Sequence, residues 1–266
     1  MSTALITGGS AGLGLEFARQ LAAAGHDLVL VARDEDRLNT VADELRTAHG
    51  VAVEVLPADL SVPDDVARVA RRLAVVGKAG RDAGSGPDDG DLPPVGLLVN
   101  NAGFATAASF ATGRITTERR GIDVMVRAVV ELAHAAVGQM LERDRGAILN
   151  VGSVAALTAG GTYAAAKAYV RTFTESLAVE LKGTGVTATL LSPGFTHTEF
   201  HARAGIPESA IVPEWGWLDA GYVVRVALAD VRRGVVLSTP SVRYKVAAAV
   251  LRAAPRWAVR AVGKYR

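Results

Sequence analysis

Short runs of aliphatic residues recur along the first 240 positions of the chain, and longer amphipathic stretches separate them. The runs have the length of strands, and they do not alternate polar with apolar residues, which is typical of strands buried on both faces of a parallel sheet. The stretches between them repeat their apolar positions with a helical period. We therefore predict one α/β domain with a doubly wound parallel sheet of about seven strands.

These predicted elements can be assigned to residues. Strands are expected at Thr3–Thr7, Asp27–Ala32, Val51–Leu56, Val95–Val99, Ala147–Val151, Val186–Leu191 and Val235–Ser238. Helices are expected at Leu15–Ala24, Arg37–His49, Ser61–Val76, Ile115–Leu141, Tyr163–Lys182 and Val242–Ala254. The segment 77–94 is rich in Gly, Asp and Pro, which predicts a flexible loop inserted between a helix and a strand.

The composition excludes several kinds of site. The chain has 266 residues, of which 50% are hydrophobic and 21% are charged, as in globular proteins with a substantial core. It contains no cysteine, so disulfides and thiol chemistry are excluded, and no Cys/His cluster suggests a metal site. The N-terminus has no basic region and no long apolar run, so we expect neither a secretory signal nor a membrane-spanning helix, and we expect a cytoplasmic protein.

Positive charge is concentrated at the C-terminus. No acidic residue follows Asp230, whereas nine basic residues do: Arg232, Arg233, Arg243, Lys245, Arg252, Arg256, Arg260, Lys264 and Arg266. Of the 29 basic residues, 20 remain in the body against 27 acidic ones, a net charge of −7. A basic helical tail over 241–266, interrupted at Pro255, is compatible with peripheral contact to an anionic membrane, with docking on the acidic body, or with a second subunit. No binding motif accompanies the charge, so nucleic acid is not an expected partner.

A glycine-rich turn follows the first predicted strand directly. It reads Gly8-Gly9-Ser10-Ala11-Gly12-Leu13-Gly14 and leads into a helix that Gly25 ends. Glycines let the backbone approach a pyrophosphate, and a helix N-terminus offers free N–H groups and a positive dipole end. No Gly-Lys-Ser/Thr follows, which disfavours a P-loop NTPase. The turn is therefore predicted to hold the phosphates of a nucleotide.

The ends of the second and third strands indicate which nucleotide binds. In nucleotide-binding α/β folds an acidic residue near the second strand end holds the ribose hydroxyls, whereas an arginine suits a 2′-phosphate. Arg33 occupies this position and favours NADP(H) over NAD(H), while Asp34 next to it is able to cap the following helix instead. Asp59 follows the third strand, where it either bonds an adenine amino group or serves as a turn or cap residue.

Tyr163 and Lys167 lie four residues apart in a predicted helix, so their side chains face the same way. An ammonium beside a phenol favours the phenolate, and the pKa of Tyr163 is therefore expected to lie below its usual value of about 10. Such a phenol can give or take a proton at neutral pH. Taken alone, the pair is more typical of an ordinary polar helix face than of a catalytic site.

Taken together, the motifs make the chain resemble the short-chain dehydrogenase/reductase family over nearly its whole length. The matching pieces are T-G-x-x-x-G-x-G at Thr7 to Gly14, Asp59-Leu60, N-N-A-G at Asn100 to Gly103, Ser153, Y-x-x-x-K at Tyr163 to Lys167, and P-G-x-x-x-T at Pro193 to Thr198. The resemblance implies a Rossmann-type sheet that binds a nicotinamide dinucleotide. The catalytic domain would span residues 1–240.

The resemblance also implies roles for the matched residues. The cofactor would be contacted by Gly8, Ser10, Gly12 and Leu13 at the pyrophosphate, by Asp59 and Leu60 at the adenine, by Asn101, Ala102 and Gly103 along its length, and by Pro193, Gly194, Thr196 and Thr198 at the nicotinamide. Tyr163 would be the general acid/base at the substrate oxygen. Lys167 would hold the nicotinamide ribose and lower the pKa of Tyr163, and Ser153 would donate a hydrogen bond to the carbonyl.

Two positions depart from the family pattern. Met125 stands in the long helix where relatives usually carry an asparagine, which is thought to hold a water that links the lysine to solvent. A thioether cannot replace that donor and acceptor, so the proton relay is expected to be slowed or rerouted, unless Met125 is buried packing and another polar group holds the water. Ser153 lies ten residues before Tyr163, nearer than in the family, so a more open site is expected; Ser153 is still expected at the strand end, with Thr158 or Thr162 as the alternatives.

The segment 195–218 corresponds to the substrate lid of relatives. Its apolar side chains either pack the lid alone or indicate a hydrophobic carbonyl or alcohol substrate: Phe195, Phe200, Ile206, Ile211, Trp215 and Trp217. The family also implies a homo-oligomer, a dimer or tetramer, paired through helices near 115–141 and 163–182. Our first hypothesis is an NADP-preferring oxidoreductase that interconverts a carbonyl and a secondary alcohol. The alternative is a catalytically impaired relative that binds the cofactor as a sensor or scaffold.

Overall fold

Seven parallel strands form the centre of the protein in a computed structural model, which describes residues 2–77, 93–105, 109–200 and 212–262. The strands are β1 Thr3–Thr7, β2 Leu28–Ala32, β3 Val53–Pro57, β4 Val95–Asn100, β5 Gly146–Val151, β6 Val186–Leu191 and β7 Leu237–Ser238. Their order across the sheet is β3-β2-β1-β4-β5-β6-β7, and every neighbouring pair is parallel. The predicted doubly wound fold is confirmed, and the predicted strand boundaries agree within two residues.

Helices cover both faces of this sheet. In the described part of the chain they are α1 Gly12–Ala23, α2 Glu35–His49, α3 Pro63–Leu73, α4 Ile115–Ile122, α5 Ala128–Glu142, α6 Gly161–Glu180, α7 Ala220–Arg232, α8 Val242–Ala253 and α9 Arg256–Val262. The predicted long helix is interrupted by a π-helical turn at Asp123–Arg127, which joins α4 to α5. A one-residue insertion of this kind leaves the apolar periodicity on either side unchanged, so the sequence pattern does not reveal it.

Each strand contributes to two apolar layers, one on each face of the sheet. In β1, Ala4 and Ile6 belong to the layer formed with α1, α2 and α7, whereas Leu5 belongs to the layer formed with α3, α5 and α6. The four buried residues of β2 divide in the same way. Because both sides of a strand are buried, both must be apolar, which is the reason that the strand sequences do not alternate.

The candidate site lies at the carboxyl edge of the sheet. β1 has β2 on one side and β4 on the other, so the direction of winding reverses between β1 and β4. Ligands of open parallel sheets bind in the crevice that forms at such a point. The motifs that begin at Gly8, Asn101 and Ser153 follow β1, β4 and β5 and therefore lie together at this edge.

A chain of buried polar side chains fixes α6 against the sheet. The Nδ2 atom of Asn100 in β4 donates to Oδ1 of Asn150 in β5 at 2.9 Å. The Nδ2 atom of Asn150 donates in turn to the hydroxyl of Thr174 in α6 at 2.9 Å. Since buried polar groups are costly unless they are paired, these bonds specify one position for α6 relative to β5. That position determines where Tyr163 and Lys167 stand.

The helical stretch Ile115–Glu142 is long and apolar enough, on length and composition alone, to cross a membrane. This finding differs from the expectation that the chain has no segment able to span a membrane. Half of its most apolar window, 50%, is buried inside the fold. Leu132, Ala136 and Met140 belong to the layer between this helix and the sheet, as in a core helix.

Three predicted features extend outside the described residues. Residues 78–92 make up most of the predicted loop 77–94, residues 201–211 belong to the predicted lid, and residues 263–266 belong to the predicted tail. Within the tail, α8 and α9 are separated at Ala254 and Pro255, where the break was expected.

Candidate active site

The turn between β1 and α1 is shaped by glycines that no other residue can replace. Gly8 and Gly12 have φ angles of +68° and +53°, in the left-handed region that favours glycine. A Cβ atom on Gly14 would lie 2.1 Å from the carbonyl oxygen of Gly8, so α1 can start this close to the turn only without a side chain there. Helix α1 begins three residues earlier than predicted, and its first turn therefore includes Gly12, Leu13 and Gly14.

The N-terminus of α1 has the properties of an anion site. Its N-cap residue, Ala11, has no side chain that caps the helix, so the first backbone N–H groups remain available at the cradle. Ser10 beside them is 8% exposed, and Leu13 packs on the apolar layer below. A pyrophosphate therefore suits this turn by the backbone conformation of the glycines and by the direction of the helix dipole.

Thr7 joins the glycine turn to the segment after β4. Its hydroxyl oxygen accepts hydrogen bonds from the backbone N–H groups of Asn101 at 2.9 Å and Ala102 at 3.0 Å. The Asn101 side chain donates to the carbonyl oxygen of Thr7 at 2.9 Å. Sequence reasoning identified the two motifs separately and missed this bridge, for which the only signal is a threonine directly before the glycines.

Arg33 directly follows β2, at the position predicted to face the adenosine end of a dinucleotide. Arg33 is exposed, and within the described part of the chain it forms no ion pair. Asp34 does not compete with it for a ribose, because its carboxylate accepts a hydrogen bond from the Arg37 N–H at 3.0 Å and caps α2. This capping role is the alternative that the sequence left open for Asp34.

Asp59 is engaged within its own turn. Its Oδ1 atom accepts from the N–H of Ser61 at 3.0 Å and from the Ser61 hydroxyl at 2.7 Å, and its Oδ2 atom pairs with Arg120 at 2.9 Å. Burial acts to raise the pKa of Asp59, but the hydrogen bonds from Ser61 and the charges of Arg120 and Arg33 together hold it below its usual value. Asp59 is therefore a turn residue, and its contact with adenine stays a prediction, as does that of Leu60, which is buried.

The structure brings Ser153, Tyr163 and Lys167 together despite the short spacing. Ser153 follows β5 and accepts a hydrogen bond from the Ala155 N–H at 3.1 Å, which starts the 3-10 turn Val154–Leu157. Helix α6 then begins at Gly161 and places Tyr163 in its first turn, where Ser153 is close enough to act on the pKa of the phenol. The Lys167 Nζ atom lies 5.8 Å from the centre of the Tyr163 ring.

The pKa of Tyr163 differs from the expectation. Burial raises it to about 12, and the interaction with Ser153 acts in the opposite direction without reversing the shift. Burial likewise lowers the pKa of Lys167 to about 8. The ammonium is directed at the backbone, donating to the carbonyl oxygen of Val151 at 2.7 Å. At neutral pH, therefore, the polypeptide holds Tyr163 as a phenol and not as a phenolate, and the predicted lowering of its pKa by Lys167 is wrong for the polypeptide itself.

Met125 lies in the π-helical turn beside the lysine. It is 1% exposed and belongs to the apolar layer under the sheet, which is the packing role that the sequence left open. A Cβ atom on Gly103 would lie 3.5 Å from the Met125 sulfur and 3.6 Å from the Lys167 Nζ atom. The thioether of Met125 and the ammonium of Lys167 therefore both lie against Gly103, in the segment after β4. The methionine offers the lysine no hydrogen bond.

The segment after β6 crosses the mouth of this crevice. Pro193 accepts a hydrogen bond from the Val154 N–H at 3.1 Å, and the buried Thr196 donates to the carbonyl oxygen of Gly194 at 3.1 Å. A Cβ atom on Gly12 would lie 3.4 Å from Thr198, so the segment passes over the glycine turn.

Beyond Thr198 the same segment reaches α2 and the catalytic tyrosine candidate. Glu199 pairs with Arg37 of α2. The Phe200 ring centre lies 5.8 Å from that of Tyr163.

Two further residues position the site and were not found from the sequence. The Tyr244 hydroxyl in α8 accepts from the Phe195 N–H at 3.1 Å and donates to the carbonyl oxygen of Gly216 at 2.7 Å, so one phenol joins both ends of the predicted lid. The buried Glu118 in α4 accepts from the Thr162 hydroxyl at 2.5 Å and holds the start of α6. Neither belongs to a motif, and only the packed structure brings these residues together.

Comparison with known proteins identifies the family. The family model described as short chain dehydrogenase matches residues 2–208. A short chain dehydrogenase of Pseudocercospora fijiensis is 34% identical over 219 residues, which cover 79% of this chain and 63% of that relative's length. The chain belongs to the short-chain dehydrogenase/reductase family.

Solved structures agree with this assignment over the whole chain. A short-chain dehydrogenase from Sphingobium yanoikuyae, in complex with NADPH, is 33% identical with a TM-score of 0.80, covering 100% of this chain and 97% of that one. A bulky-bulky ketone specific alcohol dehydrogenase from Comamonas testosteroni has a TM-score of 0.76 at 27% identity, covering 100% of this chain and 95% of that one. The protein is thus an NAD(P)-dependent oxidoreductase by family.

The glycine cradle gives a first prediction. Gly14→Ala places a methyl group against the Gly8 carbonyl, which must move, and we expect dinucleotide affinity to fall by at least tenfold, or about 1.4 kcal/mol. Fluorescence titration with NADPH measures the change. Gly138→Ala is the matched control, because no atom lies within 4 Å of a Cβ atom there and the residue is inside α5. Equal affinity in both variants would contradict the role assigned to the turn.

Proposed function

We propose that the protein is an NADP-preferring oxidoreductase that interconverts an apolar carbonyl compound and its secondary alcohol. The observation that carries the proposal is the grouping of Ser153, Tyr163 and Lys167 at the edge of the sheet that also bears the glycine cradle. A phenol, a hydroxyl and an ammonium at one point can protonate an oxygen and stabilise the charge that remains.

The residues present fit a nicotinamide dinucleotide. The turn at Gly8, Gly12 and Gly14 leads into the uncapped N-terminus of α1, which suits a pyrophosphate, and Arg33 offers a guanidinium for a 2′-phosphate. We assign the remaining contacts as the family pattern implies: Ser10, Leu13, Asp59, Leu60, Asn101, Ala102, Gly103, Pro193, Gly194, Thr196 and Thr198. When bound, the dinucleotide supplies or accepts the hydride.

The polypeptide's own part is proton transfer and orientation. Tyr163 keeps its proton at neutral pH because its pKa is about 12, and in the reductive direction it donates that proton to the substrate oxygen. Ser153 donates a hydrogen bond to the same oxygen and orients it. Lys167 then stabilises the phenolate left on Tyr163 and holds the ribose hydroxyls, since its ammonium lies on the same side of α6.

The substrate assigned to this site is bulky and apolar. The Phe200 ring lies beside the Tyr163 ring and presents aromatic surface next to the reacting position, while Phe195 packs at a tilt on the buried Trp217 with ring centres 5.7 Å apart. The similar alcohol dehydrogenase from Comamonas testosteroni is described as specific for bulky-bulky ketones. Both observations favour a ketone with large apolar substituents over a small polar one.

The proposal includes a homo-oligomer, a dimer or tetramer, in the cytoplasm. Ile115, Ile122, Tyr169 and Val179 are large apolar side chains on α4 and α6 that are between 49% and 74% exposed. Exposed apolar residues on neighbouring helices are typical of a subunit interface.

A second candidate function is a cofactor-binding sensor or scaffold without turnover. The observation that favours it is Met125, which places a thioether beside Lys167 and offers no relay to solvent. A protein of this kind binds the dinucleotide and does not reduce carbonyls.

The two candidates are separated by Tyr163→Phe. We expect kcat for NADPH-dependent reduction of bulky ketones to fall by about 10²–10⁴-fold, because the proton donor is lost, while NADPH affinity is unchanged. Tyr222→Phe is the matched control, since Tyr222 lies in α7, is 38% exposed and has no part in the proposed site. Tight NADPH binding with no turnover by the wild type across a ketone panel would favour the sensor, and turnover retained in Tyr163→Phe would reject the catalytic role.

The cofactor preference is tested at Arg33. Arg33→Ser removes the guanidinium, and we expect NADPH affinity to fall by about 1.5–3 kcal/mol, roughly 10- to 150-fold, with NADH affinity unaltered. Arg71→Ser replaces another exposed arginine, in α3, and serves as the control. If Arg33→Ser weakened NADH and NADPH equally, the arginine would not select the 2′-phosphate.

Lys167 should make dinucleotide binding depend on pH. Its folded pKa is lowered to about 8, so the ammonium that bonds the ribose is present below that pH and is lost as the pH rises through it. Exchanging a charged donor for a neutral one costs about 1 kcal/mol, so the Kd for NADPH should rise roughly fivefold between neutral and alkaline pH. Titration at a series of pH values measures this. The inflection should be absent in Lys167→Met, and its persistence there would assign it to another group.

A further inference from the structure

The exposed side of α8 and α9, here called the tail surface, combines apolar and basic residues. Val242, Val246 and Val250 are 74%, 58% and 62% exposed and follow one another every four residues, so they form a stripe along α8. Trp257 in α9 is 69% exposed. Large apolar side chains are normally buried, and several exposed together indicate an interaction surface.

The cations of α8 flank the apolar stripe. At 3.6 residues per turn, Arg243 falls on one side of the valines, and Lys245 and Arg252 fall on the other. The opposite side of the helix carries the buried Ala248 and faces the body of the protein. The valines thus point outward, with Lys245 and Arg252 on one side and, on the other, Arg243, which donates to the carbonyl oxygen of Trp215.

Helix α9 repeats this arrangement. Val259 is 2% exposed and anchors the helix to the body, while Trp257 lies on the opposite side. Arg256 and Arg260 are exposed beside the tryptophan. No acidic residue follows Asp230 in the sequence, so no internal carboxylate from this stretch neutralises the surface.

We propose that the tail surface binds an anionic lipid bilayer. An apolar stripe with lateral cations and an exposed tryptophan has the pattern of helices that lie at a membrane interface, where the apolar residues enter the acyl boundary and the basic ones meet the head groups. In a symmetric contact a second copy of the chain would bring its own cations against these, whereas the head groups of an anionic bilayer neutralise them.

The same helix adjoins the site. Tyr244 on the inner side of α8 joins Phe195 to Gly216, and α8 packs against the 3-10 turn that follows Ser153. Binding through the outer side of α8 therefore places the lid next to the bilayer. Resting on the proposed function, this position assigns the apolar substrate to the class of carbonyl compounds that partition into membranes.

Co-sedimentation with vesicles tests the proposal on the full chain. We expect binding to phosphatidylcholine vesicles that contain phosphatidylglycerol and none to phosphatidylcholine alone. Lys245→Gln with Arg252→Gln and Arg256→Gln should weaken binding by roughly fivefold for each cation, on the order of 100-fold in total. The matched control changes one lysine and two arginines that are exposed elsewhere: Lys182→Gln, Arg71→Gln and Arg145→Gln.

The apolar part of the surface is tested separately. Trp257 fluorescence should shift to the blue on anionic vesicles, and Trp257→Phe should abolish the shift. Val246→Ser with Val250→Ser and Trp257→Ser should weaken sedimentation at least tenfold, whereas Phe110→Ser, at a 67% exposed aromatic elsewhere, should not.

Two outcomes would overturn the membrane proposal. One is equal sedimentation of the wild type and the cation variant, or no sedimentation of the wild type with anionic vesicles. The other is a change of oligomeric state in the variants, seen by sedimentation velocity, which would assign the surface to a second copy of the chain. These assays need neither cofactor nor substrate, so their failure is distinguishable from a failure of the proposed reductase activity.

Discussion

A buried cation is the constraint on which the candidate site depends. Lys167 is 5% exposed, and taking its ammonium out of water lowers its pKa to about 8. The Lys167 Nζ atom donates a hydrogen bond to the carbonyl oxygen of Val151 at 2.7 Å. Val151 ends β5 and lies two residues before Ser153. Holding the charge there requires α6 to stay close to β5, and that closeness is also what brings Tyr163 to Ser153.

The fold supplies this closeness through groups outside the site. The hydrogen bonds from Asn100 to Asn150 and from Asn150 to Thr174 lie inside the protein, where a broken bond would leave a polar group unpaired. Glu118 holds the first turn of α6 through Thr162. One anchor lies in the first turn of the helix and the other, at Thr174, in its second half, so its position along β5 is fixed, and the helical period then determines the direction of Tyr163 and Lys167.

The sequence predicts the sheet and the location of the site well, because both follow from local patterns. Strands buried on two faces are continuous apolar runs, which the sequence shows directly. A backbone position that needs a positive φ, such as Gly8, is marked in the sequence by the glycine itself. It predicts poorly what depends on distant contacts. The bridge from Tyr244 to both lid ends and the pairing of Asp59 with Arg120 join residues far apart in the chain.

The pKa of Tyr163 was predicted in the wrong direction because charge was considered without burial. The same consideration connects the two unusual features of the site, Met125 and the lowered pKa of Lys167. Met125 and the lysine amino group meet at Gly103, and the thioether adds apolar surface there without a hydrogen bond. Met125 lines the neighbourhood of the amine with apolar surface, and burial is what lowers the pKa of Lys167 to about 8. The departure from the family pattern therefore removes a hydrogen-bond donor and acceptor from beside an amine that is already costly to keep charged.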